Sequence, residues 1–198
     1  MVDTVSSNNS KARILDVALA LIKKRKGADV SMAEIANSAK VSRQAMYLHF
    51  ADRADLMLAL VRHADEKRGM EDEIRKIREA PTGVEAMCEM VSLQARMNPG
   101  IWAIAHALDA MRRTDEAAEQ GWQDRLKHRL LGCGQIVEWM QREKSLKPGV
   151  SLEEARDILW SITSLRVWED LVLERRWTAK QYEERITRLL RTALTRSS

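Results

Sequence analysis

The chain has 198 residues, 31% charged and 45% hydrophobic, a balance that fits a folded globular protein and argues against a disordered or membrane-embedded one. Eight Gly and three Pro leave few turn-makers, so long helices are expected, and no apolar run approaches the roughly 18 residues of a spanning helix. The net charge of +4 is unevenly spread: residues 1–62 carry ten Lys and Arg against six Asp and Glu, while the remainder carries 23 of each. A basic end on a neutral body suggests a nucleic-acid-binding head joined to another module; a solubilising surface is the plainer alternative.

The first residues, MVDTVSSNNS, lack the basic patch and apolar run of a signal peptide. Cys88 and Cys133 lie far apart with no CxxC spacing and read as free thiols in a reducing cytoplasm. Residues 1–9 read as a flexible arm. Ser10 is expected to cap a first helix in which Ile14, Leu15, Ala18, Leu21 and Ile22 form a buried stripe. Lys23 to Lys26 suit the negative end of that helix, and Gly27 is expected to stop it. Ser31 and Glu34 form an S-x-x-E capping box that starts a short helix over about 32–39. Lys40 and Val41 make a tight turn, and Ser42 caps a second short helix running through Arg43, Gln44, Ala45, Met46 and Tyr47. Two short helices across such a turn form a helix-turn-helix.

Asp52 is expected to cap a long helix with Leu56, Met57, Leu60 and Val61 inward, continuing to about Glu79 with Gly69 as a bend or break. Helices follow at about 84–97, at about 100–112 after Asn98-Pro99-Gly100, and at about 115–144. KSLKPGVS reads as a loop. Ser151 and Glu154 begin a helix expected to reach Arg175, and Thr178 caps the last, to about Thr195.

The ordered series Arg13-Ile14-Leu15-Asp16, Ala18, Gly27, Glu34-Ile35-Ala36, Ala39, Val41-Ser42, Tyr47-Leu48-His49-Phe50, Arg53 and Leu56 resembles the head of TetR-type transcriptional regulators. A weaker resemblance to the last two helices of one TetR group continues through SLEEARDILWSIT, Trp177, Tyr182 and Leu194. The fold class this implies is all-α: an N-terminal three-helix DNA-binding head with a helix-turn-helix over 10–55, and a C-terminal helical ligand-binding and dimerisation domain over 56–198. One departure stands out. The family usually has Gly in the turn where this chain has Lys40, and Lys at a positive φ costs about 1 kcal/mol or forces another turn.

A helix about 10–12 Å across fits the major groove, and its first residues reach base edges. Arg43 suits guanine O6 and N7, Gln44 can pair with adenine, and Ala45 admits a thymine methyl; these are the expected base readers. Arg43 as a solvated charge is the alternative. Ser31, Lys40, Tyr47, His49 and Arg53 are assigned to phosphates, the resemblance supplying that role for Tyr47, His49 and Arg53. Ser31 could instead serve only as a helix cap, and His49 could be a packing residue. Phe50 is the only Phe and is expected to plug the head, as its family equivalent does.

All six Trp fall after residue 100. They either fill a core or line an apolar cavity, and the resemblance favours an effector pocket with Trp102, His106, Trp139 and Trp160 as its candidates. Arg112 or Arg113 could anchor an acid there. The dimer interface is assigned to Ile158, Ile162, Leu165, Trp168, Ile186, Leu189 and Leu190 from the last two helices, with a monomeric bundle as the alternative.

No H-E-x-x-H, P-loop, Gly-rich dinucleotide turn or nucleophile motif occurs, so neither catalytic residues, nor a metal site, nor a cofactor is expected. The expected partners are a double-stranded DNA operator, a small hydrophobic or aromatic effector and a second copy of the chain, with no membrane, in a cytoplasmic, nucleoid-associated setting. The expected function is a ligand-responsive repressor that binds a palindromic operator as a dimer. The alternatives are a ligand-sequestering or protein-interaction module with a non-functional head, and a redox sensor acting through Cys88 or Cys133.

Overall fold

The computed structural model describes residues 2–26 and 30–196, for residues 2–8 the backbone alone. The fold is all-α; among the described residues the only β contact is an isolated bridge between Leu146 and Thr195. Helix α1, Val2–Lys24, buries Ile14, Leu15, Ala18 and Ile22, the stripe expected from their spacing. It begins well before Ser10, so over residues 2–9 the expected arm is helical instead. No Gly or Pro interrupts that stretch, and once the stripe is anchored each added residue gains a backbone hydrogen bond. The expected stop at Gly27 lies outside the described residues.

Helices α2 (Met32–Ser38), α3 (Arg43–His49) and α4 (Arg53–Lys67) follow with the expected caps. The Oγ atoms of Ser31 and Ser42 and the Oδ1 of Asp52 accept from the backbone N–H of Glu34, Ala45 and Asp55, at 3.2, 3.1 and 2.8 Å. Helix α1 packs on α2 and α4, and α2 packs on α3. Met46 and Phe50 are buried among them, Phe50 with 1% of its surface exposed, so the head's plug is where the sequence placed it.

Beyond α4 one open expectation is decided and two others are overturned. Gly69, at φ +68°, separates α4 from α5 (Met70–Arg78), so the long helix is broken rather than bent. Conversely, Asn98-Pro99-Gly100 is no turn: α6 runs unbroken over Gly83–Met111. Pro99, which has no N–H to give the Ala95 carbonyl, sits on the exposed side of the helix. Gly100 is buried, and a Cβ there would collide with the Arg68 guanidinium. After α7 (Glu116–Arg142), the helix expected over 152–175 is three pieces: α8 (Leu152–Ile162), α9 (Leu165–Trp168) and a π-helical stretch, Glu169–Glu174. Buried Thr163 turns its hydroxyl back onto the Leu159 carbonyl at 2.6 Å, and Ser164 caps a new helix start through Val167 N–H. Helix α10, Ala179–Leu194, closes the fold with a Thr178–Gln181 capping box.

By internal contacts the chain divides into Met1–Arg68 with Gly100–Asp124, and Gly69–Pro99 with Arg125–Ser198. The first unit has one core, in which Ala103, Ile104, Ala107, Leu108 and Ala118 join the apolar residues of α1–α4. The second centres on buried Met87, Val91, Cys133, Val137, Met140, Leu159, Trp168, Tyr182, Leu190 and Leu194. No helix among the described residues is long and apolar enough to cross a membrane.

Candidate nucleic-acid interface and effector site

The turn between α2 and α3 is built on Lys40, whose φ is +53°. Its N–H donates to the Asn37 carbonyl at 3.1 Å, and the Val41 N–H reaches back to Ala36 at 3.0 Å. This is a Schellman motif with lysine at the left-handed position, where glycine is the unstrained choice. The expected strain is therefore present and the turn keeps its form. Val41 packs against the core and fixes the direction in which α3 leaves.

Arg43 and Gln44 are exposed and Ala45 is half-buried in the first turn of α3, while Met46 points inward. The three base-reading candidates thus share the accessible start of a helix anchored by one buried Met. Tyr47 is half exposed, and His49 is half-buried with its ring 6.3 Å from that of Phe50. Lys40 is exposed and Arg53 half-buried. Leu48, 80% exposed, is the most exposed large apolar residue among the described residues and was not singled out from the sequence, although its place between Tyr47 and His49 was visible.

Ser31 has little hydroxyl capacity left for a phosphate. Its Oγ accepts from Glu34 N–H and donates to Glu34 Oε2 at 3.1 Å, while Oε2 accepts from Ser31 N–H at 3.0 Å. Arg25 Nη2 donates to Glu34 Oε1 at 2.6 Å, tying the end of α1 to the start of α2. The Arg25 contact first, then Ser31, hold the Glu34 carboxyl down to about 2. A second clasp joins α1 to α4: Asp16 Oδ1 accepts from Lys67 Nζ at 2.6 Å and lies 2.7 Å from His63 Nε2, and these two lower its pKa.

The four pocket candidates are split, Trp102 and His106 in the first unit, Trp139 and Trp160 in the second. Trp102 stacks on exposed His106, ring centroids 5.3 Å apart, and its Nε1 is buried without a partner. Arg112 is already neutralised by Asp109 at 2.6 Å and Glu119 at 2.9 Å, and Arg113 is exposed, so neither is set up to anchor an acid.

The second unit holds a different arginine. Arg129 on α7 lies over the half-buried Trp160 ring, 5.4 Å from its centroid, and its Nη2 donates to the Trp160 carbonyl at 2.7 Å and weakly to Thr163 Oγ1 at 3.4 Å. Desolvation holds its pKa below the ordinary arginine value, and the groups opposing that are Cys133 and Tyr182, not a carboxylate. Tyr182 Oη, Trp160 Nε1 and Trp168 Nε1 are buried without hydrogen-bond partners, and burial pushes the Tyr182 phenol up to about 12. The signal for Arg129 was legible: with Cys133, Ile136 and Met140 it completes an i, i+4, i+7, i+11 stripe whose other members are apolar.

Among the dimer candidates, Trp168, Ile186 and Leu190 are buried in the chain's own core, where they cannot also face a partner. Ile158, Ile162 and Leu165 are half-buried and Leu189 exposed. Burial pushes the Cys133 thiol up to about 11 and raises Cys88 as well, so neither is a ready thiolate near neutrality. Among the described residues no cluster of His, Cys, Asp and Glu could hold a metal ion.

Residues 14–60 match the family described as bacterial regulatory proteins, tetR family. Over these residues, about a quarter of the chain, the sequence carries that family's N-terminal domain. Over 163 residues it is 26% identical to the nucleoid occlusion factor SlmA of Alteromonas mediterranea, covering 78% of each protein. A proposed transcriptional regulator from Saccharomonospora viridis in complex with choline shares the fold at TM-score 0.81 and 14% identity, over 96% of this chain and 100% of that one. NalD, the secondary repressor of the MexAB-OprM multidrug efflux pump in Pseudomonas aeruginosa, does so at TM-score 0.74 and 19% identity, over 98% and 99%. At these identities the two structural likenesses establish the TetR architecture and nothing finer.

Proposed function

We propose that this TetR-family chain is a repressor that binds a palindromic operator as a homodimer and releases it when a small hydrophobic or aromatic effector occupies the helical body. The observation that carries this reading is α3: exposed Arg43 and Gln44 with small Ala45 on the first turn of a helix held from behind by buried Met46 and Phe50. Arg43, Gln44 and Ala45 read bases, and Lys40, Tyr47, His49 and Arg53 grip phosphates. Ser31 belongs to that set only if the capping box opens. Residues 10–55 act as the DNA-binding domain and 56–198 as the effector and dimerisation domain.

Exposed Leu152 and Leu189 with half-buried Ile158, Ile162 and Leu165 supply an apolar surface on α8–α10 for a second copy. In the dimer the two α3 helices must lie about 34–36 Å apart, or a multiple of that, to meet successive major-groove faces. An effector that disfavours this spacing by about 1–3 kcal/mol releases the DNA. The solved neighbours support both halves of this reading, one by its bound choline and the other by its description as a repressor.

The test is selection of bound sequences from a random DNA pool, with sedimentation of the protein alone and on the selected site. A palindromic consensus bound by a dimer is expected; a monomer, or no enrichment, rejects the reading. A second reading is favoured by the likeness to the nucleoid occlusion factor: DNA binding that serves nucleoid occlusion and not the control of particular genes. Selected sites scattered over the chromosome rather than concentrated upstream of genes would favour it.

A further inference from the structure

We infer that the second unit anchors an acidic effector, its carboxylate held by Arg129 with the Tyr182 hydroxyl as a further donor. The inference rests on the effector-binding reading above and names the chemistry of that ligand.

Three features point to an anion. First, Arg129 has no carboxylate among its interactions, and Arg125 adds a like charge nearby. A desolvated, uncompensated guanidinium is costly, and a bound anion is the direct remedy. Second, its fork is half used. A guanidinium offers five N–H donors in one plane. Nη2 serves the Trp160 carbonyl and Thr163, whereas Nε and Nη1 donate to no described residue. Nε and Nη1 therefore keep N–H groups with which a carboxylate oxygen can be bound. Third, Tyr182, which interacts electrostatically with Arg129, is wholly buried with its hydroxyl unpartnered, and Trp160, under the guanidinium, has an unpartnered indole N–H. Orphaned donors beside an unmatched cation are what an absent acceptor leaves behind.

The rest of the surroundings is apolar or weakly polar: the Trp160 ring, Met90 and Cys133, whose sulfurs lie 3.7 Å apart, and Thr163. They suit the hydrophobic body of an aromatic or aliphatic acid. The competing account makes Arg129 only a clamp on the last turn of α8 through the Trp160 carbonyl. A lysine could do that, and the clamp needs neither the unused N–H groups nor Tyr182.

The experiment titrates the full chain with matched acid and alcohol pairs, benzoate against benzyl alcohol and decanoate against decanol, following tryptophan fluorescence, with choline as a control of opposite charge. At least one acid is expected to bind about tenfold or more tighter than its alcohol. Arg129→Gln should erase that preference while alcohol binding stays, and Arg129→Lys should restore only part of it. Tyr182→Phe should leave the unfolding temperature unchanged or raised, because its hydroxyl has no partner to lose, yet weaken the acid severalfold. Equal binding of acids and alcohols, binding of neither, or a preference that survives Arg129→Gln overturns the inference. Should Arg129→Gln fail to fold, Arg129→Lys and Tyr182→Phe decide it alone. Because binding is read without DNA, the outcomes separate: a protein that prefers acids but keeps its operator loses only the release mechanism, and one that selects DNA but ignores acids loses only this site.

Discussion

The head and the second unit treat their buried polar atoms in opposite ways. From Asn9 to Ala64, no described buried side-chain nitrogen or oxygen lacks a partner. The Ser31, Ser42 and Asp52 caps, the Glu34 network and the Asp16 clasp account for its principal polar contacts. In the second unit Asn98, Trp160, Trp168 and Tyr182 each bury an orphaned donor, and Arg129 lacks a counter-charge. An unmade buried hydrogen bond costs about 1–3 kcal/mol, so a region that keeps several is incomplete on its own terms. The head is finished as folded and presents an exposed helix face outward. The second unit carries unmet polar demand inside.

The hardest test of a self-sufficient head is removal of its plug. Phe50→Ala should cost about 3–5 kcal/mol, because a fully buried aromatic is replaced by a cavity among α1–α4. Thermal unfolding read by circular dichroism checks the size, and operator binding should fall with the head. A loss below about 1 kcal/mol would mean that the head is held from elsewhere.

The outward face of the head is broken by Arg43→Ala, expected to weaken operator binding by about 1–3 kcal/mol and to relax preference at one base position. Binding-site selection on the variant checks this, and an unchanged consensus removes Arg43 from the readers. Arg53→Ala should instead weaken all sequences alike and flatten the salt dependence by about one phosphate contact, as a salt titration of the Kd would show.

The same contrast explains what the sequence made legible. The head is made of local signals: S-x-x-E at Ser31, the Ser42 cap, the Ile14–Ile22 stripe and Tyr47 to Phe50 each act within a few residues, and each produced the structure its spacing implied. Apart from the arm expected over residues 2–9, errors came where a distant partner decides. Asn98-Pro99-Gly100 looked like a turn because nothing local reveals that Gly100 makes room for Arg68. The helix over 152–175 looked continuous because its apolar content hid the Thr163-Ser164 step, whose breaking power depends on Thr163 being buried and turned onto Leu159. Trp168, Ile186 and Leu190 were assigned to a partner surface, but apolar periodicity alone cannot separate a side chain covered by its own chain from one left for another. Arg129 was passed over for Arg112, since its lack of a counter-ion is a property of the fold and not of its neighbours in sequence.

Lys40, one of two lysines of the head at positive φ, tests whether such a strained residue is retained for its charge. Glycine removes the left-handed penalty, so Lys40→Gly should raise stability by about 1 kcal/mol. It should also lower operator affinity and the salt slope, because a phosphate-facing cation is lost. Opposite signs in the two assays would identify a trade of stability for binding. A gain in both would leave the lysine without a role at the turn.

The smallest effect concerns the polar seam between α1 and α2. The Glu34 carboxyl is held at about 2, against 4.5 for a free glutamate, so folding favours its ionised form. A lowered folded pKa contributes stability that is whole above about pH 4.5 and drains as pH falls towards 2. Glu34→Gln keeps the reciprocal cap, since Gln at this position also accepts from the Ser31 N–H, and deletes only the charge facing Arg25. Wild type should therefore exceed the variant by a small, constant margin from neutral pH down to about 5.5, and the two should converge near pH 2. Because the pair is solvent-exposed, the margin should shrink in high salt at every pH. Urea unfolding curves across that range check both trends, and a margin that persisted at pH 2 would show that Glu34 acts through its shape and not its charge.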